Sequence, residues 1–305
     1  MPAPVWPALP LEEWHAPKET LHRYAQIVGK VRLDLVPFQN HWWHVTLHVA
    51  TRGFSTGPMP SGDKTVEITF DFVDHRLVVT VDDGTVEWFD LVDGLACADF
   101  YHQLLATLDR VGVHPQVHPE PFDLDSPAFP NDRQHHAYDP EWVARYWQVL
   151  QRIQWVFVEF AGRFNGKQAP VQLFWHSFDL AFQRFSGRPA PPRAGADPVT
   201  AEAYSHEVIS FGFWPGDTHT PYPAFYSYTA PEPRGLTEQP LAPDTAVWQP
   251  TGGSALLPYD DVRTASEPRA ALLAFLDSAY QAGATTAGWD LDALATQADP
   301  DRKNH

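Results

Sequence analysis

Apolar residues recur at Leu21, Tyr24, Ala25 and Val28, the spacing of one helix face, and Gly29 follows them. The pattern predicts a first helix over 17–28 that ends at that glycine. Over 40–50 the period shortens to two. Val45, Leu47 and Val49 alternate with polar or aromatic neighbours, so a strand is expected with Trp42, His44, His48 and Arg52 on its other face. Residues 65–72 place Val66, Ile68, Phe70 and Phe72 on one side and Thr65, Glu67, Thr69 and Asp71 on the other. The chain turns at Asp74-His75 and returns through 77–81 to Asp82-Asp83-Gly84, a hairpin. A helix is expected over 99–111. The Pro- and His-rich residues 112–139 have little periodicity and read as a long surface connector.

The order of elements then returns. Pro140 opens a helix expected to reach residue 164, where Asn165-Gly166 stops it. Strand-like stretches follow at 171–185, 204–214 and 224–230, with proline-rich loops at 189–198 and 231–250 and a last helix at 267–282. Short matches accompany this order. Trp43-His44 with Arg52 resembles Trp175-His176 with Arg184, at an offset of 132; Thr69–Phe72 resembles Ser210–Phe213, and Leu104–Asp109 resembles Leu272–Asp277. The expected fold is α+β: two related α-β-β-β-α halves formed by internal duplication, each an antiparallel sheet with one face under long helices. The boundaries expected are a first half at 1–112, a connector at 113–138, a second half at 139–298 and a polar tail at 299–305.

Charge narrows the partners. The chain carries 21 Lys+Arg against 38 Asp+Glu, a formal charge of −17, which disfavours both nucleic acid and anionic membrane surfaces. No run of 18 apolar residues is present, and the N-terminus has no basic, apolar leader, so a cytoplasmic protein is expected. Cys97 is the single cysteine and reads as a small core residue. No cofactor is expected.

The chemistry with most support lies on the non-core strand faces of the second half. Strand parity places His176 and Arg184 on one such face, and Tyr204, His206, Ser210 and Trp214 on that of the neighbouring strand. Tyr226 and Tyr228 share a face that parity leaves open. Aromatic walls with imidazoles and an arginine suit a small organic ligand; solvated faces or a contact between halves are the alternatives. Asp179 and Glu207 fall on core-facing parity, where a carboxylate either finds a cationic partner or has a raised pKa suited to acid–base work. A strand break near Ser177 would turn Asp179 outward.

Other motifs are weaker. On a strand His44 and His48 stand about 13 Å apart, too far to share one ion. His135-His136 and His114/His118 lie in the connector and lack carboxylate companions at useful spacing, so no metal site is expected. Gly53–Gly57 spells G-x-S-x-G, but Pro58 and Pro60 follow where a nucleophile elbow needs a helix. No phosphate-binding glycine loop and no H-E-x-x-H occurs.

Several stretches together are more distinctive: Val28-Gly29-Lys30-Val31-Arg32-Leu33, Asn40-His41-Trp42-Trp43, 174–181, Arg184-Phe185-Ser186-Gly187-Arg188, Gly212-Phe213-Trp214-Pro215-Gly216 and Phe225-Tyr226-Ser227-Tyr228. With these the chain resembles, over nearly its whole length, a mainly bacterial domain-of-unknown-function family, number 5996. The resemblance implies a shared fold and matches Lys30, Arg32, Asp179, Arg184, Ser186, Arg188, Trp214, Pro215, Tyr226 and Tyr228; the family often has Gly where this chain has His176. It implies no activity. The expectation is a protein that binds, or an enzyme that acts on, a small anionic or aromatic metabolite. Arg184 and Arg188 would anchor the anion, Trp214, Tyr226, Tyr228, His176 and His206 would line the site, and Asp179 or Glu207 would act as base. The alternative is a non-catalytic interaction protein whose aromatic faces contact a partner or a second copy.

Overall fold

The computed structural model describes residues 6–296; the polar tail expected from residue 299 lies outside them. The fold is α+β with two antiparallel sheets. In chain order it runs α1 (Leu11–Leu35), β1 (His48–Ala50), β2 (Gly53–Ser55), β3 (Met59–Ser61), β4 (Lys64–Asp71), β5 (Arg76–Val81), β6 (Val86–Asp90), α2 (Cys97–Arg110) and α3 (Pro140–Ala161). It continues with β7 (Gln172–Phe174), β8 (Asp179–Pro189), α4 (Pro198–Ala203), β9 (His206–Trp214), β10 (Ala224–Ala230), β11 (Val247–Trp248), β12 (Ala255–Pro258), α5 (Tyr259–Arg263), α6 (Pro268–Thr286) and α7 (Leu291–Leu294). Two compact units divide the chain. Unit 1 comprises Met1–Gln154, Gln172–Ala181 and Phe213–Pro223; unit 2 comprises Trp155–Val171, Phe182–Gly212 and Ala224–His305.

In unit 1 the first helix is longer than its apolar spacing predicts and runs straight through Gly29. A Cβ at this position would overlap the indole of Trp175, so the glycine makes room for a tryptophan rather than ending the helix. That indole donates to the Val45 carbonyl at 2.6 Å. The helix kinks at Trp14, just ahead of Pro17. From Thr20 to Arg32 it is buried on every side, polar residues included. Tyr24 stacks on Phe100 of α2 at 4.0 Å between ring centroids.

The long strand expected over 40–50 does not form. Residues Asn40–Trp42 make a 3-10 turn in which His41 and Trp42 have φ of 56° and 61°, and strand geometry begins only near Leu47. Two residues in the left-handed region break a ladder whatever the side-chain alternation says. His44 therefore shares no strand face with His48, and its Nδ1 accepts from the Gln39 amide instead.

The hairpin forms as expected, β4 pairing with β5 with Ile68 opposite Val79 and Phe70 opposite Leu77. Strand order in this sheet is β1-β2-β4-β5-β6, with β3 also on β4. Leu47 and Leu173 exchange backbone hydrogen bonds at 2.9 and 2.8 Å, so β7 continues beside β1. Arg52, in the β1–β2 turn, is paired with Asp71 and Asp74. Arg184, its match by letter, lies inside β8, so that match joins different places in the fold.

The strand expected over 171–185 is interrupted, as the break near Ser177 anticipates. Residues 175–178 turn, Phe178 has φ of 58°, and β8 begins at Asp179 opposite Phe174. The β7–β8 turn thus projects Trp175, His176 and Ser177. The connector is also more than a surface link: Phe129 and Asp132 are fully buried in it, around a 3-10 turn at Phe129–Asn131.

In unit 2 the strands lie in the order β8-β9-β10-β12-β11. Phe157 and Phe160 of α3 pack on Phe182, which stacks on Phe211 at 5.1 Å. The middle of β9 is buried on both faces: Ser210, expected on the polar face, is 1% exposed, and its hydroxyl has no partner. Cys97 is a buried free thiol whose pKa burial pushes up, as a core residue requires. Among the described residues, no helix is long and apolar enough to cross a membrane.

Candidate functional site

The polar residues of an enclosed helix need partners, and in α1 they converge on a cavity of about 500 Å³ within unit 1. The helix contributes His15, Lys18, Glu19, His22 and Arg23 to its lining. The connector contributes Asp123, Leu124, Asp125 and His135; the β7–β8 turn contributes His176 and Ser177. The end of β9 and the loop after it supply Trp214, Asp217 and Thr218. That loop turns tightly at Gly216 (φ 90°), where a Cβ would press on the carbonyls of Thr220 and Tyr222. Asp217 caps the turn by accepting from the amides of His219 and Thr220.

Two α1 side chains hold these segments together. His22 Nε2 lies 3.0 and 3.1 Å from the carbonyl oxygens of Trp175 and His176, which can only accept. The proton therefore sits on Nε2 and the lone pair on Nδ1. Burial, with the nearby Lys18 charge, lowers the His22 pKa to about 3. Gln26 brackets Phe122 of the connector, donating to its carbonyl at 2.9 Å and accepting from its amide at 2.8 Å.

The charges form a connected chain. Lys18 Nζ donates to Glu19 Oε1 at 2.7 Å and Arg23 donates to Glu19 Oε2 at 2.8 Å. Burial pushes the Glu19 carboxyl up, but the two cations outweigh it and hold its pKa down at about 2. Arg23 Nε also donates to Ser126 Oγ at 3.1 Å, and Ser126 donates to Asp132 Oδ2 at 3.1 Å. Asp132 in turn receives His135 Nδ1–H at 2.7 Å on Oδ2, and the Gln134 and His135 amides on Oδ1. Burial raises the Asp132 pKa, but these donors prevail and the carboxylate stays below its usual range. His135 thus has a carboxylate companion three residues upstream, contrary to the sequence expectation, and His114 likewise pairs with Asp109 at 3.2 Å.

Of the residues singled out from sequence, His176 and Trp214 line this cavity. Burial lowers the His176 pKa to about 4. Asp179 is buried at the start of β8 and does not line the cavity. The rest belong to unit 2. Arg184 is 1% exposed, its guanidinium 3.8 Å from the Phe160 ring centre and 4.5 Å from that of Tyr280, and it donates to the Phe160 carbonyl. Its Nε has no partner, and burial lowers its pKa to about 10. Glu207 is only half-buried and accepts from Arg188 and from Ser186, the ion-paired outcome for a strand carboxylate. Arg188 also donates to the carbonyls of Ala287 and Gly288. Tyr226 and Tyr228 stack at 6.1 Å on the Gly212 side of the sheet, and the Tyr228 and Tyr204 hydroxyls are 2.9 Å apart. His206 opens β9, half-buried, with Nδ1 3.1 Å from the Ser205 hydroxyl.

Strand parity missed Lys18, His22, Arg23 and His135. The available signal was a stripe on the first helix, His15, Lys18, Glu19, His22, Arg23 and Gln26, at the same three-and-four spacing as the apolar face. Among the described residues, no group of three or more His, Cys, Asp or Glu could hold a metal ion.

Fold and cavity define an α+β protein with a polar, imidazole-rich pocket. The chain belongs to the family described as "Family of unknown function (DUF5996)", which matches residues 6–296. No curated protein and no solved structure matches the chain significantly.

Proposed function

We propose that the cavity in unit 1 is a binding site for a compact aromatic molecule that is neutral or cationic. The observation that carries this reading is the lining itself: an indole and several imidazoles face a rim in which Lys18 and Arg23 are set against Glu19, Asp123, Asp125 and Asp217. Both cations are engaged by Glu19, and the three lining aspartates outnumber the one positive charge left over, so the field left for a ligand is negative. This favours the aromatic side of the sequence expectation over the anionic one.

Calorimetric titration with tryptamine and with indole-3-acetate tests it, since the two share a ring and differ in charge. Tryptamine is expected to bind more tightly by about tenfold, the equivalent of roughly 1.4 kcal/mol of charge interaction near a protein surface. Trp214→Ala should weaken it. Tighter binding of the acetate, or equal binding by the variant, rules the reading out.

The chain order also supports an origin by duplication, proposed here alongside: a helix, a run of antiparallel strands and a further helix occur as α1, β1–β6, α2 and again as α3, β7–β12, α6.

A further inference from the structure

We infer that this cavity is also a general-base site, in which buried Asp132 fixes His135 so that its Nε2 takes a proton from water or from a ligand hydroxyl. The inference rests on the cavity being a ligand site and adds a reaction to it.

The two Asp132 oxygens have separate duties. Oδ1 accepts two backbone amides, from Gln134 at 3.0 Å and His135 at 3.2 Å, which locks the turn. Oδ2 accepts the ring proton at 2.7 Å. The Asp132 side chain has no exposure, whereas that of His135 is 21% exposed and lines the cavity. An ionised aspartate on Nδ1 dictates the tautomer, so the neutral ring presents the Nε2 lone pair. Arg23, 3.5 Å from Asp132, is held by Glu19 and Ser126 and leaves the His135 bond intact. Base, orienting carboxylate and cavity therefore coincide, the arrangement general-base catalysis needs.

The substrate class that fits both the aromatic lining and the base is a small aromatic ester. Water gives a proton to His135 Nε2 as its oxygen bonds to the acyl carbon. The ester C–O bond then breaks and the proton on Nε2 passes to the leaving phenolate, so ester and water become acid and phenol.

The test uses p-nitrophenyl acetate with the full chain. His135→Gln and Asp132→Asn should each slow hydrolysis by about tenfold or more, the usual cost of losing a positioned base or its orienting partner. His136→Gln, altering the exposed neighbouring ring, should not. A second readout needs no variant: carbethoxylation of wild-type protein by diethyl pyrocarbonate, followed by peptide mass, should be faster at His135 than at the more exposed His136. Hydrolysis by His135→Gln at the wild-type rate, or His136 reacting as fast as His135, overturns the inference. The ligand reading fails separately: His135-dependent hydrolysis with no tryptamine binding removes that reading and keeps the base.

Discussion

At the scale of single residues, Gly29 and Arg184 show how a sequence signal can be present and point the wrong way. A glycine after an apolar periodic run ordinarily marks a helix end. Here it sits mid-helix because Trp175 occupies the volume a side chain would need. Gly29→Ala should therefore destabilise unit 1 by about 1–3 kcal/mol, the cost of overpacking a filled core, although alanine is the better helix former. Urea unfolding gives that value, and an unchanged midpoint would mean that Trp175 relocates freely. Arg184 is the converse case. An arginine on the non-core parity of a strand reads as an anion anchor, yet rings of unit 2 surround it. Alternation shows which side of a strand a residue takes; it does not show what covers that side. Asp132 and His135 were legible in principle, three residues apart, but their polar neighbours, Asn131, Arg133 and Gln134, gave no sign that the aspartate is buried.

At the scale of elements, the regular pieces were legible and the turns between them were not. The β4–β5 hairpin, α2, α3, β10 and α6 follow from period and punctuation, because their apolar residues recur at the period of the element they form. The 40–50 stretch and the β7–β8 turn did not follow, because left-handed residues at His41, Trp42 and Phe178 are not glycines and leave no mark in composition. The connector lacked periodicity for a different reason. It is held by isolated anchors, of which Phe129 is fully buried and stacks near Tyr101 at 6.4 Å. The Asp132 amide donates to the Phe129 carbonyl, so this anchor also places the carboxylate of the His135 pair. Phe129→Ala should cost about 3–5 kcal/mol, the range for removing a buried phenyl ring, and should weaken tryptamine binding in protein that remains folded. Thermal unfolding combined with calorimetry checks both, and full binding in the folded variant would detach the connector from the site.

For the whole molecule, one buried and one half-buried imidazole set a pH limit. His22 and His176 have native pKa values of about 3 and 4, below the ordinary value of 6.5. Between those values and 6.5 the unfolded chain binds protons that the native chain does not. Their contribution to stability is thus complete above 6.5 and is lost as pH falls toward 4. Each should add a slope of about 1.4 kcal/mol per pH unit within its window. Glu19 and Asp132, with depressed carboxylate pKa values, extend the loss to lower pH. Urea midpoints measured from pH 7.5 to 4.5 should fall, and His176→Asn should flatten the fall; a level profile would mean that these rings are already protonated in the native state.

His22 reaches a carbonyl 154 residues away, and the cavity wall is completed only by Trp214, Asp217 and Thr218. A chain emerging from the ribosome cannot possess the pocket until that last loop has been synthesised and has docked. Ligand capture during translation would therefore report when unit 1 is finished, and shorter fragments should remain blind to the ligand however helical their first segment becomes.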